Sequence, residues 1–366
     1  MIYLDHAATA PIHSEVIDLA IKSLSQDWYN PNSIYSVSQE TRRKIETARH
    51  TVAECIGARA DEIIFCPSSS AANALAVLGY LKRNKTESFV TTRTEHDSIL
   101  NIEMPIHVKR EFVECNSEGS ISPSSLEKFK NSLISVIGAN NEVGSINPVK
   151  ELSEVAHKNN CIIHSDLTQY IPHLKVNVKE LDLDMASFSG HKIGGLRGCA
   201  VLYVKKGIDL EPLIYGHQEK GLMGGTENTL AIMCMAKAMQ LLNYSKNKKI
   251  ETLRNYAISR LEGISNSYLI GSRTNRLCNN INMCFKDIDA QGLLYYLDLH
   301  GIYCSAGSAC NSYRYEPSHV LKAMGMKDKD ALSCIRITLG EDTSYEDINN
   351  LCDYIHNYVK MVNNLK

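Results

Sequence analysis

The sequence holds no Cys-x-x-Cys pair, although it contains 12 cysteines. In a small secreted chain that count would suggest disulfides, but scattered through 366 residues it reads as mostly reduced, buried, small apolar side chains. No run approaches the ~20 apolar residues of a membrane span. The first residues, Met1-Ile2-Tyr3-Leu4-Asp5-His6, lack both the basic and the apolar region of a signal peptide. The expectation is a cytoplasmic protein with no membrane partner. Charge imbalance is also missing: a formal net charge of -2 leaves no global field to hold nucleic acid directly. The basic cluster Lys246-Asn247-Lys248-Lys249 reads as a solvated helix face. There is no internal repeat and no low-complexity segment.

What is present is an ordinary globular composition, 44% hydrophobic and 22% charged, in a chain long enough for a large domain plus a lesser one. Val16, Ala20 and Leu24 lie four apart, predicting an amphipathic helix over 14–26 capped by Ser14. Ile45, Ala48, Val52 and Ile56 share one face of a second helix that stops near Gly57. Short strands are expected at 62–66, 89–92, 133–139, 161–166 and 199–204, with Pro148 opening a helix between two of them. Strand, helix and strand repeat, so an α/β fold with a mostly parallel sheet follows. Thr226 is expected to cap an apolar helix running to about Leu242. From Asn243 the pattern changes to a charged helix, short strands and terminal helices, a second α+β part.

Chemistry is suggested at the ends of these strands, where open α/β sheets place ligands. One run ends in Asp166, and Ser187-Phe188-Ser189-Gly190-His191-Lys192-Ile193-Gly194-Gly195 wraps a lysine in small residues that let a ligand approach the backbone. A lysine and an acid so placed suit pyridoxal phosphate, which needs an amine for its aldehyde and a carboxylate for its ring nitrogen. Ser68, Ser69 and Ser70 gather hydroxyls at a helix start, a geometry that binds phosphate or merely caps. His96 follows a strand and can move protons near neutrality. Cys310, among Gly, Ser, Ala and Asn, suits a mobile, solvent-reached loop in which a thiolate could react. Cys304 reads as core, and the spacing of the two cysteines matches no metal site. Arg336, on an alternating run, suits carboxylate recognition or a surface salt bridge.

In this order the pieces resemble the cysteine desulfurases, pyridoxal-phosphate enzymes of the fold-type I, class V aminotransferase group. The resemblance runs nearly end to end. It is carried by Tyr3-Leu4-Asp5-His6-Ala7-Ala8-Thr9, Thr94-Glu95-His96, Asn140-Asn141-Glu142-Val143-Gly144, Asp166-Leu167-Thr168-Gln169, Ser189-Gly190-His191-Lys192, Gly225-Thr226-Glu227-Asn228, Ser308-Ala309-Cys310 and Glu316-Pro317-Ser318-His319-Val320-Leu321. It implies a large domain over 15–245 with a mostly parallel seven-stranded sheet between helices. A smaller α+β domain, 1–14 with 246–366, would carry the cysteine loop.

By position, the resemblance makes Lys192 the Schiff-base lysine, Asp166 the partner of the pyridine nitrogen, Gln169 the donor to the phenolate oxygen, and His96 the ring-stacked acid/base. Asn141 and Arg336 would hold the substrate carboxylate; Ser69, Ser70, Ser189 and His191 the phosphate. Thr226 would reach the phosphate of a neighbouring subunit, implying a homodimer. Lys192 would take the Cα proton of L-cysteine, and the Cys310 thiolate would attack its sulfur, leaving a persulfide and releasing alanine. The persulfide would pass to a sulfur-acceptor protein, an iron-sulfur scaffold or a thiolation enzyme. Two positions depart from the family pattern: Ser68-Ser69-Ser70-Ala71 replaces Gly-Ala-Thr-Glu, and Met223 replaces an arginine. The alternatives are another reaction on the same fold, selenocysteine lysis or transamination, or a catalytically weak cofactor-binding scaffold.

Overall fold

Runs such as Leu133-Ile134-Ser135-Val136-Ile137 are too short for helices, rich in branched side chains and bounded by turn residues, and they form strands buried on both faces. The computed structural model describes residues 1–307 and 316–364. Its strands are β1 (Ile2–Tyr3), β2 (Ile63–Cys66), β3 (Ser88–Thr92), β4 (Lys109–Val113), β5 (Leu133–Ile137), β6 (Ile162–Asp166), β7 (Met185–Ser189), β8 (Ala200–Val204), β9 (Ser267–Leu269), β10 (Asn280–Phe285), β11 (Ile302–Tyr303) and β12 (Cys334–Thr338).

Seven of them form one sheet in the order β2-β8-β7-β6-β5-β3-β4. Only β8 opposes the others, pairing antiparallel with both β2 and β7. The carboxyl ends of β2, β3, β5, β6 and β7 therefore emerge along one edge. Alternate side chains enter different cores. On β8, Val201 and Tyr203 join the helices over 14–26, 36–55 and 229–240, while Ala200 and Leu202 join Leu75, Val77 and Phe89 on the opposite face. The sheet thus lies between two layers, as expected of an α/β fold.

The remaining strands build a smaller part. Its antiparallel sheet has the order β12-β10-β9. Helices Asn247–Glu262, Ala290–Leu299 and Tyr345–Asn364 pack on it around Ile281, Ile335 and Ile337. The start of the chain belongs to this second core: Leu4 is fully buried in it, and β1 pairs with β11, Ile2 opposite Ile302.

Three local expectations change. Strand β4 escapes the sequence pattern because Lys109-Arg110-Glu111 looks like solvated chain; it sits at the sheet edge, paired only with β3. Ser14 is the first helical residue rather than the cap, a place taken by His13 without a side-chain bond. The helix Thr229–Gln240 is capped by Asn228, whose Oδ1 accepts from the Ala231 N–H at 3.1 Å, and not by Thr226. No described cysteine is in a disulfide, and Cys66, Cys161, Cys199, Cys234, Cys284, Cys334 and Cys352 are buried. No described helix is long and apolar enough to cross a membrane.

Candidate active site

The loops leaving β2, β3, β5, β6 and β7 enclose a cavity of about 480 Å³. Lys192, His96, Asp166, Gln169, Asn141, Ser69, Ser70, Ser189, His191 and Arg336 all border it. Strand position explains most of this. Asp166 is the last residue of β6, Ser189 the last of β7, and Lys192 ends the single helical turn that follows. Gly194, just beyond, has φ +76, and a Cβ there would lie 2.4 Å from the His13 ring, so only glycine lets the N-terminal segment close over this loop.

That segment holds the lysine. Lys192 Nζ donates to the carbonyls of Ala7 at 2.5 Å and Ala8 at 2.7 Å, and Gln169 Nε2 donates to the same Ala7 oxygen at 2.8 Å. At the cavity floor Asp166 is nearly fully buried: Oδ1 accepts from the Thr168 N–H at 2.9 Å and Oδ2 from Asn73 Nδ2 at 2.8 Å. Arg336 is 1% exposed, so neither a surface position nor an unpaired one describes it. Its Nη2 donates to Asp5 Oδ1 at 2.7 Å and its Nη1 to the Asn141 carbonyl at 3.2 Å. Its buried Nε has no hydrogen-bond partner among the described residues.

Asn141 is presented by a turn that Asn140 ties together, its Oδ1 accepting from the Glu142 and Val143 N–H groups and its Nδ2 donating to the Thr94 carbonyl. His96 is set by the buried Glu95, whose Oε1 accepts from Thr92 Oγ1 at 2.9 Å and from the Ile137 N–H at 2.8 Å, clamping β3 to β5. Burial pushes the Glu95 carboxyl up to about 8, against the pull of those bonds. Burial also pushes the His191 imidazole down to about 4, with the Lys192 and Arg197 charges acting in the same direction. It is therefore a neutral donor beside Ser69, Ser70 and Ser189.

Thr226 does not border this cavity. It lies exposed in the loop before the helix Thr229–Gln240 and lines a separate cavity of about 150 Å³ that shares Pro67, Gly198 and Cys199 with the first. Cys310 lies outside the described residues. The residues flanking that stretch, Gly307 and Glu316, border a third cavity, of about 520 Å³, together with Asp5, Cys304 and His319. Asp5 joins the two cavities through its pairing with Arg336. Cys304 is half-buried and its thiol is pushed far up by burial.

Sequence reasoning missed Asn73, Thr168, Asp5 and the Ala7 and Ala8 carbonyls. The last two carry no side-chain signal at all. Asn73 sits in an alanine-rich helix start, where it looks like an ordinary surface polar residue.

The residues present fit a pyridoxal phosphate. The cavity brings together serine hydroxyls and a neutral imidazole, a buried carboxylate, and a lysine held by two carbonyl oxygens. The buried Thr168 Oγ1 and Arg336 Nε, both on the cavity's residues, lack partners among the described atoms.

A largely parallel sheet whose strand ends bring a lysine, an acid and an arginine into one cavity is the architecture of a pyridoxal-phosphate enzyme of the aminotransferase type. The chain belongs to the aminotransferase class-V family, whose model matches residues 2–351. Within that family the relatives it matches include cysteine desulfurases. It is 39% identical to the cysteine desulfurase IscS of Dictyoglomus turgidum, over 98% of this chain and 94% of the relative. It is 33% identical to that of Methanosarcina thermophila, over 100% and 93%. Among solved structures it is similar to a NifS-like protein, with a TM-score of 0.91 at 28% identity over 98% of this chain and 99% of the other. A NifS-like protein from Rickettsia africae gives 0.89 at 32% identity, over the same shares.

Proposed function

We propose that this chain is a pyridoxal-phosphate-dependent cysteine desulfurase, converting L-cysteine to L-alanine and passing the sulfur through Cys310 to an acceptor protein. The observation that carries the reading is the convergence of Lys192, Asp166 and Arg336 on one cavity. When bound, the cofactor supplies an aldehyde for the substrate amine and a cationic ring that draws electrons from the bonds at the substrate's Cα.

The chain's own residues do the rest. Asp166, fixed at both oxygens, would hold the cofactor's ring nitrogen and keep it protonated. Ser69, Ser70, Ser189 and His191 take the phosphate, and Gln169 the phenolate oxygen. Lys192 Nζ moves the Cα proton, with His96 at hand as acid/base. Arg336 and Asn141 hold the substrate carboxylate, Arg336 through the edge that Asp5 leaves open. The Cys310 thiolate attacks the substrate sulfur; the Cβ–S bond breaks, the Cβ gains a proton, and a persulfide stays on Cys310. Ala71 and the buried Met223 place neither an acid nor a base at their positions, so the phosphate end relies on hydroxyls and His191.

We place the large domain at 15–245 and the small one at 1–14 with 246–366, a division supported by the two apolar cores. A homodimer is supported by exposed apolar side chains beside Thr226. Asn32 Nδ2 donates to Glu227 at 2.9 Å, so the stretch with Trp28 (71% exposed) and Ile34 (95%) lies next to the Thr226 loop. Ile214 and Tyr215 are exposed on the same loop's approach. Thr226 would then serve the neighbouring subunit's phosphate.

The test is direct. Purified protein should be yellow and should form alanine and sulfide from cysteine with a thiol reductant. Cys310→Ser should keep the colour and lose the sulfur product. Undiminished sulfide from Cys310→Ser would refute the nucleophile; a wild type that makes neither product would refute the function.

A further inference from the structure

Asn73 is fully buried and belongs to no step of the proposed reaction, yet it connects two residues that do. Its Nδ2 donates to Asp166 Oδ2 at 2.8 Å and to Ser98 Oγ at 2.9 Å. Ser98 Oγ in turn lies 2.8 Å from His96 Nδ1. We propose that Asn73 is a positioning residue that fixes, through one buried amide, both the seat of the Asp166 carboxylate and the tautomer of His96. The proposal rests on the reading of Asp166 and His96 as cofactor-facing groups.

One fact settles the direction of the protons from Asp166 back to Ser135. A carboxylate oxygen accepts and does not donate, so the amide nitrogen of Asn73 faces Asp166 and its oxygen faces Ser187. The Ser187 hydroxyl must then donate to Asn73 Oδ1, as it does. With its proton so committed, Ser187 Oγ accepts from His164 Nε2 at 3.2 Å. The other nitrogen of a neutral His164, Nδ1, is left as acceptor, and Ser135 Oγ donates to it at 2.9 Å. Burial holds His164 neutral, down to about 4 against the opposing pull of Asp166, so the chain does not reverse near neutrality. Ser135, His164, Ser187 and Asn73 are each fully buried, and all their donors point toward Asp166 and Ser98.

The second branch reaches His96. The Ser98 backbone N–H donates to His96 Nδ1 at 3.1 Å, which makes that nitrogen an acceptor, and the Ser98 hydroxyl, oriented by the Asn73 donor on one of its lone pairs, turns its own proton to the same nitrogen. Two donors converge on that nitrogen, so the imidazole proton sits on Nε2, the nitrogen left for the cavity. His96 therefore meets a ligand as a hydrogen-bond donor. Placing a proton on Nδ1 would break the bond from the Ser98 backbone N–H and reverse the one from its hydroxyl.

The test reads the imidazole directly. The full-length protein, ¹⁵N-labelled at histidine and stripped of cofactor, should show His96 as the Nε2–H tautomer alone. Asn73→Ala removes the donor that orients the Ser98 hydroxyl, and Ser98→Ala removes the hydroxyl itself; each should bring a visible Nδ1–H population, and Ser98→Thr should keep the wild-type spectrum. An Nδ1–H signal in wild type overturns the proposal, as does an unchanged His96 in folded Asn73→Ala. If Asn73→Ala does not fold, Ser98→Ala decides, an unchanged spectrum again overturning it. These spectra need no cofactor, so a wild type that binds no pyridoxal phosphate would defeat the proposed function and leave this result standing.

Discussion

Replacing Arg336 by lysine keeps the charge and removes the fork, which separates the two jobs this side chain performs. In the structure one end of the guanidinium is committed to Asp5 Oδ1 at 2.7 Å and another donor to the Asn141 carbonyl at 3.2 Å. The Nε edge remains without a partner. A single ammonium can follow Asp5 but cannot also span to a substrate carboxylate in a planar, paired geometry. Hydrogen bonds between charged groups contribute about 1.5–3 kcal/mol each. Losing one of them predicts a fall in kcat/KM for cysteine of about 10- to 100-fold, and losing two up to about 10,000-fold, since each 1.4 kcal/mol is tenfold. Most of the loss should fall in KM, because the carboxylate is held equally before and during reaction. The assay is alanine formation over a range of cysteine concentrations, with a thermal melt as control. The reasoning fails if Arg336→Lys melts like wild type and its kcat/KM stays within about threefold.

Three further outcomes are expected. Glu95 is raised to about 8 from an ordinary value of 4.5, so the folded state binds a proton that the unfolded state has released. Stability should thus fall as pH rises from about 4.5 toward about 8, by up to ~1.4 kcal/mol per unit, and Glu95→Gln should flatten that slope in denaturant titrations. Arg49 and Glu219 form a buried two-bond pair at 2.7 and 2.8 Å. Arg49→Ala strands the Glu219 carboxylate and should cost about 3–5 kcal/mol in chemical unfolding, a loss that Arg49→Ala/Glu219→Ala should recover in part. Trp28→Glu places a charge on the exposed apolar stretch beside the Thr226 loop, and light scattering should show it shifting the protein toward monomer, whereas an unchanged mass would count against that face as the interface.

The sequence pattern located five of the seven strands of the large sheet, β2, β3, β5, β6 and β8, and pointed to the acid and the lysine, because buried parallel strands are apolar throughout and the polar residues that follow them stand out. It could not show which partners those residues meet. The alternation of Cys334–Thr338 implies one wet face and so leaves a surface ion pair open for Arg336, whereas every residue of that strand is buried between β10 and the N-terminal segment. The family resemblance assigns Thr226 to the phosphate of a neighbouring subunit, and within one chain it faces a different cavity. Asn73 and the Ala7 and Ala8 carbonyls act through contacts separated by up to 185 residues, which no local periodicity encodes.

The order of synthesis gives the N-terminal segment a further consequence. Asp5 finds its arginine 331 positions later, and β1 finds β11 only once residue 303 exists. A nascent chain therefore carries its opening residues unpartnered while the large sheet assembles, and Lys192 gains its carbonyl seat only as the segment docks. Such long-range closure is slow compared with local folding. Competence to grip a cofactor should accordingly arrive late, once residue 336 is available, which makes the segment a natural checkpoint between folded and functional protein.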